Sequence, residues 1–190
     1  MSDPADRIVF PGNPWPEGHA IAEFEWTARA EGDELWFDLH LVSADYYAQR
    51  DIEDDGRDDT GDWEAPIVWG NYHRCTLSST YWGGHERGGL RVGPLSAFSP
   101  QALDGAELLA DPHEGVDDLA GDEEPAFGLY LLGHDSAADH RVRFVRRGDS
   151  DRYDLIWTGR IALSYAGDYQ PRYRFEARLH DVALPALPTR

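Results

Sequence analysis

Two stretches of this chain alternate apolar and polar residues with a period of two, and they constrain the fold more than anything else in it. In 153–165, Tyr153, Leu155, Trp157, Ile161 and Leu163 fall on one face, and Asp154, Thr158, Arg160 and Ser164 on the other. Successive strand side chains point to opposite faces, so this pattern predicts a half-buried strand. Residues 166–171, Ala-Gly-Asp-Tyr-Gln-Pro, have turn chemistry. Beyond them Tyr173, Phe175, Ala177 and Leu179 alternate with Arg172, Arg174, Glu176, Arg178 and His180. Two such runs joined by a turn predict a hairpin. Residues 20–44 repeat the layout. Phe24, Trp26 and Ala28 alternate with Glu23, Glu25, Thr27 and Arg29, Gly32-Asp33 turns, and Leu35, Phe37, Leu39 and Leu41 alternate with Glu34, Asp38 and His40. Both hairpins carry Trp-Thr-x-Arg, at 26–29 and 157–160. That leaves two readings open: an internal duplication, or two ordinary amphipathic hairpins that share a short motif.

Between the hairpins the chain reads as further short strands. Residues 7–10 make one strand. Residues 65–82, rich in β-branched and aromatic residues, predict a long strand bent at Gly70. Strands are expected at 90–92, 126–132 and 140–147, with 133–139 as the connection between the last two. Ser99-Pro100 has the cap-then-proline signature of a helix start and predicts one short helix over 99–109. About eight strands at short spacing with almost no helix predict a single all-β domain spanning 1–190. A two-sheet antiparallel β-sandwich, jelly-roll-like, is the first expectation, and a closed β-barrel is the alternative.

Charge narrows the function. The chain carries 36 acidic residues against 17 basic ones, for a formal charge of −19, and every basic residue is Arg. Such a charge disfavours phosphate backbones and anionic membrane surfaces, so neither nucleic acid nor membrane is the expected partner. The single Cys75 allows no internal disulfide. The first residues lack a basic and apolar leader, and the expected location is the cytoplasm.

Several groups of residues are candidate sites. Asp51, Glu53, Asp55, Asp59 and Asp62, with Gly56 at the turning position, follow the spacing of a calcium loop. The flanks do not read as paired helices, and a solvated acidic loop meets the same spacing. His134, Asp135, Asp139 and His140 are of the types that ligate zinc or iron, or do acid–base work. They also border a strand connection, where polar residues are ordinary. Arg172, Arg174 and Arg178 must share one strand face, and Arg141, Arg143, Arg146 and Arg147 would extend it into a stripe suited to carboxylate or phosphate if their strand lies alongside. Trp36, Trp63 and Trp82, like Trp15, fall outside the apolar rows and are candidates for stacking on a ligand or anchoring a protein. No nucleophile elbow, phosphate-cradling loop or His-Glu-x-x-His is present. The leading expectation is therefore a non-enzymatic binding protein that engages a protein partner, most simply a basic one, as an inhibitor or immunity-type protein would. A carbohydrate- or small-molecule-binding domain with structural calcium and a metal-assisted enzyme are the competing expectations.

Overall fold

The computed structural model describes residues 5–47, 61–79, 88–113 and 125–189. These form ten strands and a single turn of α-helix: β1 (Arg7–Val9), β2 (His19–Glu31), β3 (Glu34–Ser43), α1 (Pro66–Gly70), β4 (Thr76–Ser79), β5 (Leu90–Pro94), β6 (Glu107–Ala110), β7 (Phe127–Tyr130), β8 (His134–Arg146), β9 (Arg152–Ala162) and β10 (Tyr173–Ala183). Eight of the strands run in the order β2-β1-β10-β9-β8-β7-β4-β3, and pairing of β3 with β2 closes the circuit. Every pairing in it is antiparallel. The fold is thus a closed barrel rather than a sandwich. Alternation could not separate the two, because both bury one face of each strand. What closes the sheet is curvature, and bulges supply it. The register slips between Ile21 and Glu23 in β2, between Ala138 and Arg141 in β8, and between Leu179 and Val182 in β10. Asp139 and Asp181, at the last two, take the left-handed conformation that aspartate tolerates better than most residues.

The two remaining strands complete the wall at one level. β4 and β7 bridge β3 to β8 through ladder hydrogen bonds. Lower down, β5 pairs with Glu34–Phe37 of β3, and β6 pairs with His140–Arg143 of β8. No ladder joins β5 to β6 among the described residues. The seam between them is apolar, holding a cavity of about 210 Å³ lined by Val92, Phe98, Leu103 and Leu108.

An eight-strand barrel is just wide enough to be filled by side chains, and this one is filled largely with rings. Phe10, Trp15, His19, Tyr46, Trp63 and Trp69 pack one end. Trp26, Phe37, Phe144 and Tyr153 pack a second region, and Phe127, His140, Trp157 and Phe175 a third. All belong to one continuous core, apart from the two buried histidines. The Trp of each Trp-Thr-x-Arg motif points inward, Trp26 from β2 and Trp157 from β9.

Three sequence expectations are corrected. The helix at 99–109 shrinks to a 3₁₀ turn over Pro100–Leu103, capped by the Ser99 hydroxyl, which accepts from Ala102 N–H. Gly105 then adopts positive φ, and Glu107–Ala110 continues as strand β6. Over the described part of the strand expected at 65–82, residues 65–79, the chain instead forms the single turn α1, with Pro66 in its first turn, followed by the short β4. Trp69 drives this: it plugs the core, and its indole N–H donates to the Trp63 carbonyl at 2.8 Å. Finally, 134–139 is strand, not connection, so β8 is a 13-residue strand and the turn is only Leu131–Gly133.

Candidate functional site

At the barrel end where the β7–β8 turn emerges, several aromatic side chains stay at the surface. Tyr130 is the last residue of β7, His134 the first of β8, Tyr165 sits in the 3₁₀ turn after β9, and Tyr72 follows α1. The Tyr72 ring meets Tyr130 edge-on at 6.5 Å and Tyr165 at 6.0 Å, and Tyr130 meets the His134 ring at 5.5 Å. Tyr130 is 39% exposed and Tyr165 36%. The patch is therefore a row of half-covered rings, each backed by a neighbour.

Local structure holds these rings in place. Gly133 has φ +148°, and an added Cβ would lie 2.7 Å from the Tyr165 Cβ, so only glycine lets the turn pass under that ring. The Tyr165 hydroxyl donates to Asp62 Oδ2 at 2.8 Å. Beneath the patch lies Asp135, 8% exposed, whose Oδ2 accepts from Leu132 N–H at 2.9 Å while Oδ1 is buried without a partner among the described residues. Burial pushes its carboxyl up, against the pull of the Leu132 and Tyr165 backbone N–H groups and of His134. The Tyr165 hydroxyl is pushed well above the usual tyrosine range, first by burial, then by its bond to Asp62 and the charges of Asp62 and Asp135. Tyr72 shifts the same way, chiefly by burial, with Tyr130, Asp135 and Asp62 adding to it. The rings thus sit in a field of negative sign. Ring faces with carboxylates beside them are what an Arg or Lys side chain of a partner would meet favourably.

The residues singled out from sequence have other fates. Asp51, Glu53, Asp55, Asp59 and Trp82 lie outside the described residues, and of the acidic run only Asp62 is placed, against Tyr165. His134, Asp135, Asp139 and His140 do not converge. His134 is exposed, Asp135 is buried under the tyrosines, Asp139 accepts from His113 N–H at the bulge, and His140 is fully buried inside the barrel. Among the described residues no group of three or more His, Cys, Asp or Glu side chains is placed to hold a metal ion.

His140 has a structural role. Its Nδ1 accepts from Trp157 Nε1–H at 3.2 Å, and its Nε2 stands 3.8 Å from Asp111 Oδ2, beyond hydrogen-bond reach. Burial lowers its pKa to about 3, so it is neutral. Cys75 is fully buried and its thiol is pushed up by that burial, so it is no nucleophile. Trp15 and Trp63 are core residues, and Trp63 stacks on Tyr173 at 4.1 Å. Trp36 lies half-buried on the outer surface under the Arg29 guanidinium, 5.1 Å from the ring centroid. Arg172 pairs with Asp168, while Arg174 and Arg178 stand on the outer face of β10.

The tyrosines escaped the sequence reading because they come from three separate connections. One local signal was available: with Phe127 and Leu129 inward, Tyr130 must face out. Comparison with known proteins adds nothing to this geometry: no family model matches the chain, and no curated protein or solved structure is significantly similar to it.

Proposed function

We propose that this is a non-enzymatic binding protein that engages a basic protein partner through the rim formed by Tyr72, Tyr130, His134 and Tyr165. The observation that carries this reading is the set of half-exposed rings held beside Asp62 and Asp135, at a place where core packing does not require them to be aromatic. Tyrosines offer large rigid contact area at low entropic cost, and interface energy concentrates in such anchors. The net charge of −19 speeds encounter with a basic partner. A barrel filled with side chains also favours binding on its outside over binding within. An inhibitor or immunity-type protein works in this way.

The test is capture from the source organism's lysate, at low and moderate salt, by the wild type and by the Tyr130→Ala/Tyr165→Ala double variant. The expected result is a basic protein held by the wild type, released by salt and lost with the variant. Retention of the same proteins by both, or capture of acidic proteins only, would contradict the reading.

A further inference from the structure

The acidic body carries one face of opposite sign. Alternation turns Arg141 and Arg143 of β8, Arg160 of β9, Arg174 and Arg178 of β10 and Arg7 of β1 outward, and the registers bring them together. One cross-strand row reads Arg7, Arg178, Ile156, Arg143, Glu107. The next reads Val9, Glu176, Thr158, Arg141, Leu109. A third sets Arg174 directly opposite Arg160, with Asp139 in the bulge beside it. Six arginines therefore share these rows with three carboxylates, in a chain where acids outnumber arginines about two to one.

The carboxylates present do not account for Arg143 and Arg174. Glu176 holds Arg178 at 2.6 Å, Glu107 reaches Arg141 at 3.3 Å, and Asp139 stands 3.7 Å from Arg160. No described residue pairs with Arg143 or Arg174, both exposed. Moreover, Arg7 faces Arg178 and Arg160 faces Arg174 across neighbouring strands. Like charges directly opposite destabilise a sheet; Arg7 is relieved by the Glu17 and Gly18 carbonyls and Arg160 by the Pro171 carbonyl, which leaves the exposed Arg143 and Arg174 as the charges that no described residue meets. An open groove of about 490 Å³ lies at the Arg160–Arg174 end of the face, edged by Asp139, Arg141, Thr158, Arg160, Arg174 and Glu176.

We infer that the outer face of β8, β9 and β10 is a second binding surface, one that takes a carboxylate-rich segment of a protein. The spacing selects the occupant. Strands lie about 4.8 Å apart and rise about 3.3 Å per residue, so the backbone positions that carry the arginines span about 13 Å by 10 Å. Anchored over that span, the arginines suit a row of separate charges better than one phosphate group. A line of singly charged carboxylates fits the spread, and Arg meets each in bidentate geometry. Ile156 and the exposed Leu109 give such a segment apolar footing between the charges.

The test uses the whole protein and a fluorescein-labelled hexaglutamate peptide, followed by anisotropy at about 100 mM salt, where charges farther than about 10 Å away are largely screened. Hexaglutamine is the control. Hexaglutamate binds and hexaglutamine does not. The Arg143→Gln/Arg174→Gln variant binds about tenfold more weakly, as loss of two exposed charge pairs implies. Thr158→Asp, which keeps every arginine but places a negative charge mid-face, weakens binding as well. Tyr130→Ala/Tyr165→Ala leaves it unchanged, which separates this surface from the tyrosine rim. Circular dichroism and melting temperature confirm that each variant is folded. Equal binding of the two peptides, or unchanged affinity in both face variants, overturns the inference. So does tighter binding of inorganic tripolyphosphate at the same face, which would make the ligand a phosphate. Self-association abolished by Arg143→Gln/Arg174→Gln would overturn it too, by making the occupant a second copy of the chain.

Discussion

His140 is held neutral inside the barrel by Phe127, Trp157 and Phe175, with Asp111 and Asp139 the acidic groups that face or flank it. Burial, partly offset by the charge of Asp139, lowers its pKa to about 3. Burial, reinforced by the charge of Arg7, lowers that of His19 to about 4. Both values lie below the unfolded 6.5, so the unfolded chain binds more protons across the interval. The stability these neutral histidines preserve is complete above pH 6.5 and is lost as pH falls towards 4. Each costs about 1.4 kcal/mol per pH unit within that window. Asp111, pushed up by burial, works in the opposite sense at the acid end. The expectation is a urea-unfolding free energy that is flat above pH 7 and falls with a slope approaching two protons below pH 6.5. His140→Leu removes about one proton from that slope. At pH 8 it costs about 1–3 kcal/mol, because the Trp157 N–H loses its acceptor. An unchanged slope in the variant would show that His140 is not an acid-labile group.

At the scale of elements, the two long hairpins are legible because nearly every apolar residue in them sits on one parity and a glycine or proline turn separates the strands. Their inward rows, Leu35 to Leu41 and Tyr153 to Leu163, are core residues in the folded chain. Short elements are legible only where nothing competes. Ile67, Val68 and Trp69 are strand formers by propensity, yet one turn of helix is what delivers Trp69 to the core. Closure into a barrel is not legible, because bulges that occupy one residue leave the apolar pattern almost intact. Nor is Asp38, which alternation correctly turns outward but which is only 6% exposed. Arg29 Nε donates to its Oδ2 at 2.8 Å and the Ser79 hydroxyl to its Oδ1 at 2.8 Å, tying β2, β3 and β4 together. Arg29 also donates to the Gly88 carbonyl at 2.7 Å. Removing one partner of a buried pair strands the other, so Asp38→Ala is expected to cost about 3 kcal/mol in urea unfolding. Arg29→Ala added to it recovers part of that loss. A fully additive double variant would mean that the two side chains act independently.

At the scale of the whole molecule, charge is sorted rather than spread. The runs at 51–59 and 114–124 each hold six acids, the tyrosine rim lies beside Asp62 and Asp135, and arginines gather on the outer face of β8 to β10. This sorting predicts opposite responses to salt at the two surfaces. A basic partner at the tyrosine rim is attracted both by the local carboxylates and by the net charge, so its association rate falls steadily as ionic strength rises from about 10 to 300 mM. An acidic segment approaching the arginine face is repelled by the body and attracted by the face. The repulsion acts over long distances and is screened first, near the ionic strength where the screening length drops to about 10 Å, comparable with the width of the face. Its association rate therefore rises with salt before it falls, with a maximum near about 100 mM. Surface plasmon resonance on immobilised protein across this range would resolve both profiles. A monotonic rise for the acidic peptide would show that the arginine face creates no local field against the −19 background, and the face would then be neutralised within the folded chain.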